Sequence, residues 1–318
     1  MKEILTIGRY FRQKFGQNVY KVPISLKGFT CPNIDGSIAK GGCTFCENES
    51  FSPNLTEKTS KKIYLNPNSK ENPILDYQIE QINSQYYTTK KILSKKFKVK
   101  KFIVYFQSFT NTYAPISTLK ALYEYALSLD DVIGLSIGTR ADCVDNEILE
   151  YLSKLSHDKE IWIEYGIQSI YDKTLRSINR AETTQNTKKW IIKSKEHGLN
   201  VCGHLIFGLP HETQEMMLDS IKFINDLKVD SIKIHPMYVT KNTALAVDYQ
   251  KNKFIPISQK IYNETVVKAL KLLDRNIIVQ RITAGVDNNT LLAPQWCRNK
   301  HNQLNSLKKE LKEANLNY

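Results

Sequence analysis

The sequence predicts an α/β fold on a parallel sheet, either doubly wound or curled into a barrel. Three observations carry that expectation. Short runs rich in Val, Ile, Phe and Tyr recur along the chain. They are apolar on both faces, as strands covered on either side must be. Segments of helical periodicity stand between them, which gives neighbouring strands the long crossover that parallel pairing needs.

In chain order the predicted strands are NVYKVPISL (18–26), KFIVYFQ (101–107), VIGLSIGT (132–139), EIWIEYGIQ (160–168), LNVCGHLIFGL (199–209), SIKIHPMYV (231–239) and NIIVQRIT (276–283). The predicted helices are STLKALYEYALSL (117–129), NEILEYLSKL (146–155), TQNTKKWIIKSKEHG (184–198), TQEMMLDSIKFINDLK (213–228) and SQKIYNETVVKALKLLD (258–274), each amphipathic at helical spacing. Residues 74–98, ILDYQIEQINSQYYTTKKILSKKFK, read as one long basic helix and the first crossover. Ahead of it SFSPNL (50–55) and LNPNS (65–69) are rich in turn formers and predict a loop able to cover a site at the strand ends. The final segment, KHNQLNSLKKELKEANLNY, reads as a charged surface helix. No internal repeat or low-complexity linker interrupts the chain.

The amino terminus, MKEILTIGRYFRQKFG, has no long apolar run and no cleavage-site pattern. No stretch approaches the roughly 18 apolar residues of a membrane span. A cytoplasmic location is therefore expected, where thiols stay reduced and a group of cysteines is expected to bind metal. The formal net charge of +13 invites a polyanion such as RNA. Only eight of the 45 basic residues are Arg, and the Lys excess travels with abundant Asn, Ile and Tyr, so compositional bias produces much of that charge without any selection for binding.

The chemistry concentrates in CPNIDGSIAKGGCTFC (31–46), which gathers three of the six cysteines just after the first predicted strand. Loops at the carboxyl ends of parallel strands are where such folds place ligands. Gly36, Gly41 and Gly42 give the backbone freedom to curl around an object. Cys31, Cys43 and Cys46 supply three thiolates with no fourth nearby, so one metal corner stays open; a [4Fe–4S] cluster held this way leaves one iron free for a small chelating ligand. Structural zinc wants four ligands, and none of the six histidines is near the loop in sequence. The single Cys143, Cys202 and Cys297 read as packing residues, with Cys297 the one candidate for a second functional thiol.

Together with YFQSFTNTYAP (105–115), IGTRADC (137–143), EYGIQSIYDKTLRSINR (164–180), GHLIFGLPHET (203–213) and IKIHPMYVTKNTALA (232–246), this loop resembles the radical S-adenosylmethionine enzymes. More narrowly it resembles the branch related to the elongator catalytic subunit, including small bacterial proteins without the acetyltransferase half. The resemblance spans nearly the whole chain. It implies a partial (β/α)6 TIM-like barrel with an additional C-terminal strand and helix. The implied division is 1–245 for the barrel with an N-terminal extension, and 246–318 for a C-terminal extension packed on it. The implied cofactors are a [4Fe–4S] cluster on Cys31, Cys43 and Cys46 and S-adenosyl-L-methionine chelating the open iron. By matched position, Ser108, Thr110 and Asn111 replace the family's Gly-rich methionine-binding turn. Gln168 and Arg180 match contacts to cofactor ribose or carboxylate, and His204 stands where some relatives carry an acidic ribose ligand. Arg140 and Asp142, in GTRAD, match a related GTRPD or ETRPD segment, a surface ion pair being the plain alternative. Glu164 suits either a site or a polar barrel interior, and His211 and His235 either catalysis or structure. Tyr105, Phe106 and Phe109 read as packing.

Related enzymes build or trim groups at carbon 5 of the wobble uridine of tRNA. The expectation for this chain is remodelling of such a group, for example carboxymethylaminomethyl to aminomethyl, because no acetyltransferase half follows the last predicted strand. Implied partners are tRNA and an electron donor such as flavodoxin or ferredoxin. Lys90, Lys91, Lys95, Lys96, Lys98, Lys100 and Lys101 form one basic stripe, and Lys188, Lys189, Lys193 and Lys195 another. The rivals are an oxygen-independent porphyrinogen or small-metabolite oxidase of the same superfamily, a sulfur-inserting enzyme, for which further grouped cysteines are lacking, and a zinc-stabilised RNA-binding module.

Overall fold

A computed structural model describes residues 1–47, 64–69 and 71–318; SFSPNL lies outside the described residues. Seven strands join in one sheet in chain order: β1 (Val19–Ile24), β2 (Lys101–Phe106), β3 (Val132–Thr139), β4 (Glu160–Gln168), β5 (Asn200–Phe207), β6 (Ser231–Pro236) and β7 (Ile278–Arg281). Every neighbouring pair is parallel. The sheet curls until its edges meet at mid-height, where Lys21 Nζ on β1 donates to Gln280 Oε1 on β7 at 2.7 Å. Lower down, the amino-terminal segment fills the gap: Val279 N–H donates to Leu5 O at 2.8 Å, and Thr6 bridges Val279 in parallel. The result is the partial barrel expected, extended by β7.

The helices are α1 (Ile7–Phe15), α2 (Leu75–Phe97), α3 (Ile116–Ser128), α4 (Asn146–Ser156), α5 (Thr184–Glu196), α6 (Gln214–Asp226), α7 (Gln259–Leu272) and α8 (Lys300–Glu313). Most start at a side chain that accepts an otherwise unpaired first-turn N–H: Thr6, Asp145, Thr183, Thr213, Ser258 and Asn299 all do so. The strands end sooner than the apolar runs suggest. Gly208, at φ 89°, turns the chain away after β5, and Pro236 closes β6, after which Val239–Thr240 pairs antiparallel with Leu291–Ala293.

Helix α1 was not legible among the predicted elements, yet it stoppers the amino-terminal end of the barrel. Phe11 packs with Val19 and Ile103, while Tyr10 meets Trp162 edge-on at 5.9 Å between centroids. The buried Glu160 carboxylate accepts from Tyr10 Oη at 2.8 Å, Trp162 Nε1 at 2.9 Å and Lys14 Nζ at 2.6 Å. The carboxyl-terminal helix is less of a surface element than its composition suggests. It buries Leu307 and Leu311, and beyond it Leu316–Asn317 pairs with Lys2–Glu3. Both termini therefore lie together beside β7.

Candidate functional site

The cysteine loop leaves β1 at the open, carboxyl-terminal end of the barrel. Cys31 caps a short helical turn, Pro32–Asp35, which Pro at its first position favours and Gly36 ends in the left-handed region. Gly42 N–H then donates to Asn33 O at 2.7 Å, and Cys46 N–H to Cys43 O at 2.9 Å, folding the two distant parts of the loop together. The folded loop is stitched to the segment after β4. Fully buried Asn33 donates to Asn179 O and accepts from Ala181 N at 3.3 Å, while Asn179 Nδ2 reaches Gly42 O at 2.8 Å. Thr44 N–H donates to Ile178 O at 2.9 Å.

A buried charge cluster stands behind the cysteines. Arg180 Nη1 lies 3.9 Å from Cys43 Sγ, and its Nη2 donates to Glu182 at 2.7 Å. Arg140 grips Asp142 with two nitrogens, Nε to Oδ1 at 2.7 Å, and approaches Glu182 at 3.9 Å. The surface-pair alternative is excluded, since the Arg140 side chain is only 4% exposed. Burial pushes the Cys43 thiol up, against the pull of Arg180 and Arg140.

The expected cluster and nucleoside cofactor meet a consistent donor set here. Among the described residues, Thr30 Oγ1, Thr44 Oγ1 and Arg140 Nη1 are buried without a protein partner. Two flank the cysteines in sequence, and Arg140 is close enough to Cys31 and Cys43 to interact with both. Donors left unmade at a buried site are costly unless a ligand supplies acceptors. A single zinc ion fits less well. Bonds of about 2.3 Å in a tetrahedron put ligand sulfurs about 3.8 Å apart. Among the described residues, the set of three metal-capable side chains whose ligand atoms lie within 4.8 Å of one another is instead Glu164, Cys202 and His204.

The matched polar residues converge on the same rim. Ser108 Oγ shares a 2.7 Å hydrogen bond with Ser25 Oγ, and Thr110 N–H donates to Thr30 O at 3.1 Å, which ties the turn after β2 to the entry of the cysteine loop. Asn111 uses both amide protons to join β2 and β3, donating to Phe106 O at 3.2 Å and Gly138 O at 2.9 Å. Its side chain has only Oδ1 left for a cofactor. Gln168, at φ 66°, folds back over Gly166 beside Arg180; a Cβ on Gly166 would stand 2.8 Å from Gln168 Nε2.

Below the rim the barrel interior is charged, a feature sequence reading touched only at Glu164 and His204. Glu164 is wholly buried. Its Oε1 receives Lys21 Nζ at 2.5 Å and Ser136 Oγ, and its Oε2 receives Lys233 Nζ and His204 Nε2, the last at 2.7 Å. Burial alone would raise this carboxyl, but Lys21 and Lys233 hold it well below the usual range. With both oxygens taken by ammonium groups, the Glu164–Cys202–His204 set is an ion-pair network and not a metal site. Burial brings Lys233 down to about 8, and burial with Lys233 alongside brings His204 down to about 4. Tyr105, expected to pack, belongs to this network instead, its hydroxyl accepting from Lys233 Nζ at 3.1 Å. Phe106 packs outward, as expected. Lys21 and Lys233 carry a signal that was there to be read: a charge centred in VYKVPI or SIKIHP has to find a partner inside.

The remaining candidates fall elsewhere. Cys202 and Cys297 are fully buried, and burial raises the thiols of Cys143, Cys202 and Cys297, so none has the exposed, low-pKa character of a reactive cysteine. The lysine stripe from Lys90 to Lys101 ends α2 and enters β2, which puts it at the end of the barrel away from the cysteine loop, with Lys90 paired to Asp131 at 2.7 Å. Lys195 is paired with Asp230 at 2.5 Å. Among the described residues, exposed cations in the connections leaving β1, β4 and β6 at the open end include Lys40, Lys173, Arg176 and Lys241, Lys173 and Arg176 lying on the short helix Asp172–Ser177.

Comparison with known proteins places this geometry. The model of the Radical SAM superfamily matches residues 36–224, and that of the Radical_SAM C-terminal domain matches 229–313. Among curated proteins, the uncharacterized protein YtqA of Bacillus subtilis is 35% identical over 98% of this chain and 90% of its own length. A tRNA uridine(34) acetyltransferase of Methanocaldococcus infernus is 31% identical over 48% of this chain and 29% of its own length. Among solved structures, the Elp3 of the same archaeon, with an N-terminal deletion, superposes with a TM-score of 0.61 at 18% identity, over 94% of this chain and 64% of that one. That likeness is one of fold.

Proposed function

The chain belongs to the radical SAM superfamily, and on that premise we propose that it remodels the carbon-5 side chain of the wobble uridine in tRNA. The change envisaged is from carboxymethylaminomethyl to aminomethyl: hydrogen is lost from the carbon between nitrogen and carboxylate, S-adenosyl-L-methionine would serve as the two-electron oxidant overall, and water would release the two-carbon unit as glyoxylate. Family members use a [4Fe–4S] cluster and S-adenosyl-L-methionine. When bound, that pair supplies a 5′-deoxyadenosyl radical, made with one electron from a flavodoxin- or ferredoxin-class donor, which takes a hydrogen from the substrate.

In this reading Cys31, Cys43 and Cys46 hold the cluster. Arg140 and Arg180 balance its charge from behind, and Thr30 and Thr44 offer it hydroxyl donors. Ser108, Thr110, Asn111 Oδ1 and Gln168 line the cofactor's side of the rim. His204, held by Glu164, forms the floor below. Lys40, Lys173, Arg176 and Lys241 attract the phosphates of an incoming RNA. The curled sheet and its α1 stopper leave the barrel open at one end only, which keeps water and stray hydrogen donors from the reacting centre.

The observation that carries the tRNA assignment is the 31% identity to a tRNA uridine(34) acetyltransferase over about half of this chain. Nucleoside mass spectrometry of tRNA from cells with and without the gene tests it. Loss of the gene should deplete aminomethyluridine derivatives and accumulate the carboxymethylaminomethyl form. An unchanged wobble-uridine profile would remove this substrate.

A further inference from the structure

Around Glu164 cations outnumber anions. Lys21 and Lys233 both contact Glu164, one carboxylate for two ammonium groups. His235, two residues beyond Lys233 on the same inner face of β6, sits nearer the open end, with its ring 6.0 Å from that of His204. Its Nε2 is buried without a hydrogen-bond partner. Arg281, exposed at the carboxyl end of β7, is the register partner of Lys233 and forms no ion pair among the described residues. A buried ring nitrogen left without a partner, beside excess positive charge, is an arrangement that an entering anion completes when that nitrogen carries the ring proton.

We propose that Lys233, His235 and Arg281 form an anion site in the barrel, which takes the carboxylate at the end of the substrate's side chain. The proposal rests on wobble-uridine remodelling and adds the residues that choose the substrate. Lys233 sets the local potential from below, its ammonium already anchored by Glu164 and Tyr105. His235 donates Nε2–H, and Arg281 closes over the carboxylate from the edge strand. Burial, then Arg281, holds the His235 imidazole neutral, well below its ordinary range, so in its Nε2–H tautomer it donates without being a further fixed charge. Removal of the carboxymethyl group removes the ligand of this site, which favours release of product over substrate.

The test uses cluster-loaded protein with S-adenosyl-L-methionine and two anticodon stem-loops. One carries carboxymethylaminomethyl at the wobble uridine; the other carries ethylaminomethyl, which keeps the amine and lacks the carboxylate. A charge-assisted hydrogen bond predicts about tenfold tighter binding of the first. Arg281→Ala and His235→Ala should bring the two affinities together while leaving the ethylaminomethyl RNA bound as before. Equal affinities in the unaltered protein, or a preference that survives both substitutions, would overturn the anion site while leaving tRNA as substrate. If neither RNA binds better than an unrelated hairpin, the tRNA reading fails. The site is then judged by sarcosine, a free secondary amine with the same carboxymethyl arm. A saturable shift of the His235 imidazole resonance with sarcosine and none with dimethylamine supports it, and no shift with either overturns it.

Discussion

Glu164 shows how one side chain organises the interior. Four donors from four strands converge on it, so the carboxylate fixes the relative positions of β1, β3, β5 and β6 as much as any apolar contact does. Replacing it by Gln leaves two buried ammonium groups facing one neutral amide. Glu164→Gln should destabilise the fold by roughly 3–5 kcal/mol in denaturant unfolding. His204 gives the matching pH dependence. Its folded value of about 4 lies below the ordinary 6.5, so between those values the unfolded chain binds more protons. Stability should therefore fall on acidification from pH 6.5 to 4, by up to about 3 kcal/mol from this group. His204→Asn should flatten that slope in unfolding measured across the window. At the rim, Gly166→Ala would push Gln168 off its place beside Arg180, and weaker binding of S-adenosyl-L-methionine with an unchanged iron content is the expected result. Among these residues Glu164 and His204 were visible in the sequence as polar positions on apolar strands. Lys21 and Lys233 stood out in the same way, but which carboxylate they would meet did not, because a lysine's reach across a barrel depends on strand register, which one sequence does not display.

At the scale of elements, alternation decided what could be read. The seven strands and the helices between them follow from two-sided apolar runs separated by amphipathic segments, and their caps mark most helix starts. What escaped was held by tertiary contacts instead of by local pattern. Helix α1 is nine residues of mixed character that stay helical because Phe11 and Tyr10 have a barrel end to fill. Phe11→Ala should cost about 3–5 kcal/mol in unfolding free energy, with cofactor binding retained at the far end of the barrel. The cysteine loop is the opposite case. Its position was legible from the cysteines and glycines, but its docking through Asn33 and Asn179 was not. Asn33→Ala should leave the barrel folded and accelerate loss of iron, followed by the decay of cluster absorbance.

Over the whole molecule, the charge of +13 divides into parts with different meanings. The long lysine stripe caps the end of the barrel remote from the cysteine loop, while a smaller group of cations stands on the rim loops and a third lies inside the barrel. Counting lysines in the sequence could not separate these, since the division follows from which way each helix runs. The account depends most on an iron of the cluster left free by Cys31, Cys43 and Cys46 for S-adenosyl-L-methionine. Electron paramagnetic resonance of the reduced, anaerobically reconstituted protein tests it directly. The account predicts a [4Fe–4S]⁺ signal that changes on adding S-adenosyl-L-methionine and vanishes with the cluster in Cys43→Ala. A signal indifferent to the cofactor, or a full cluster surviving Cys43→Ala, would contradict it.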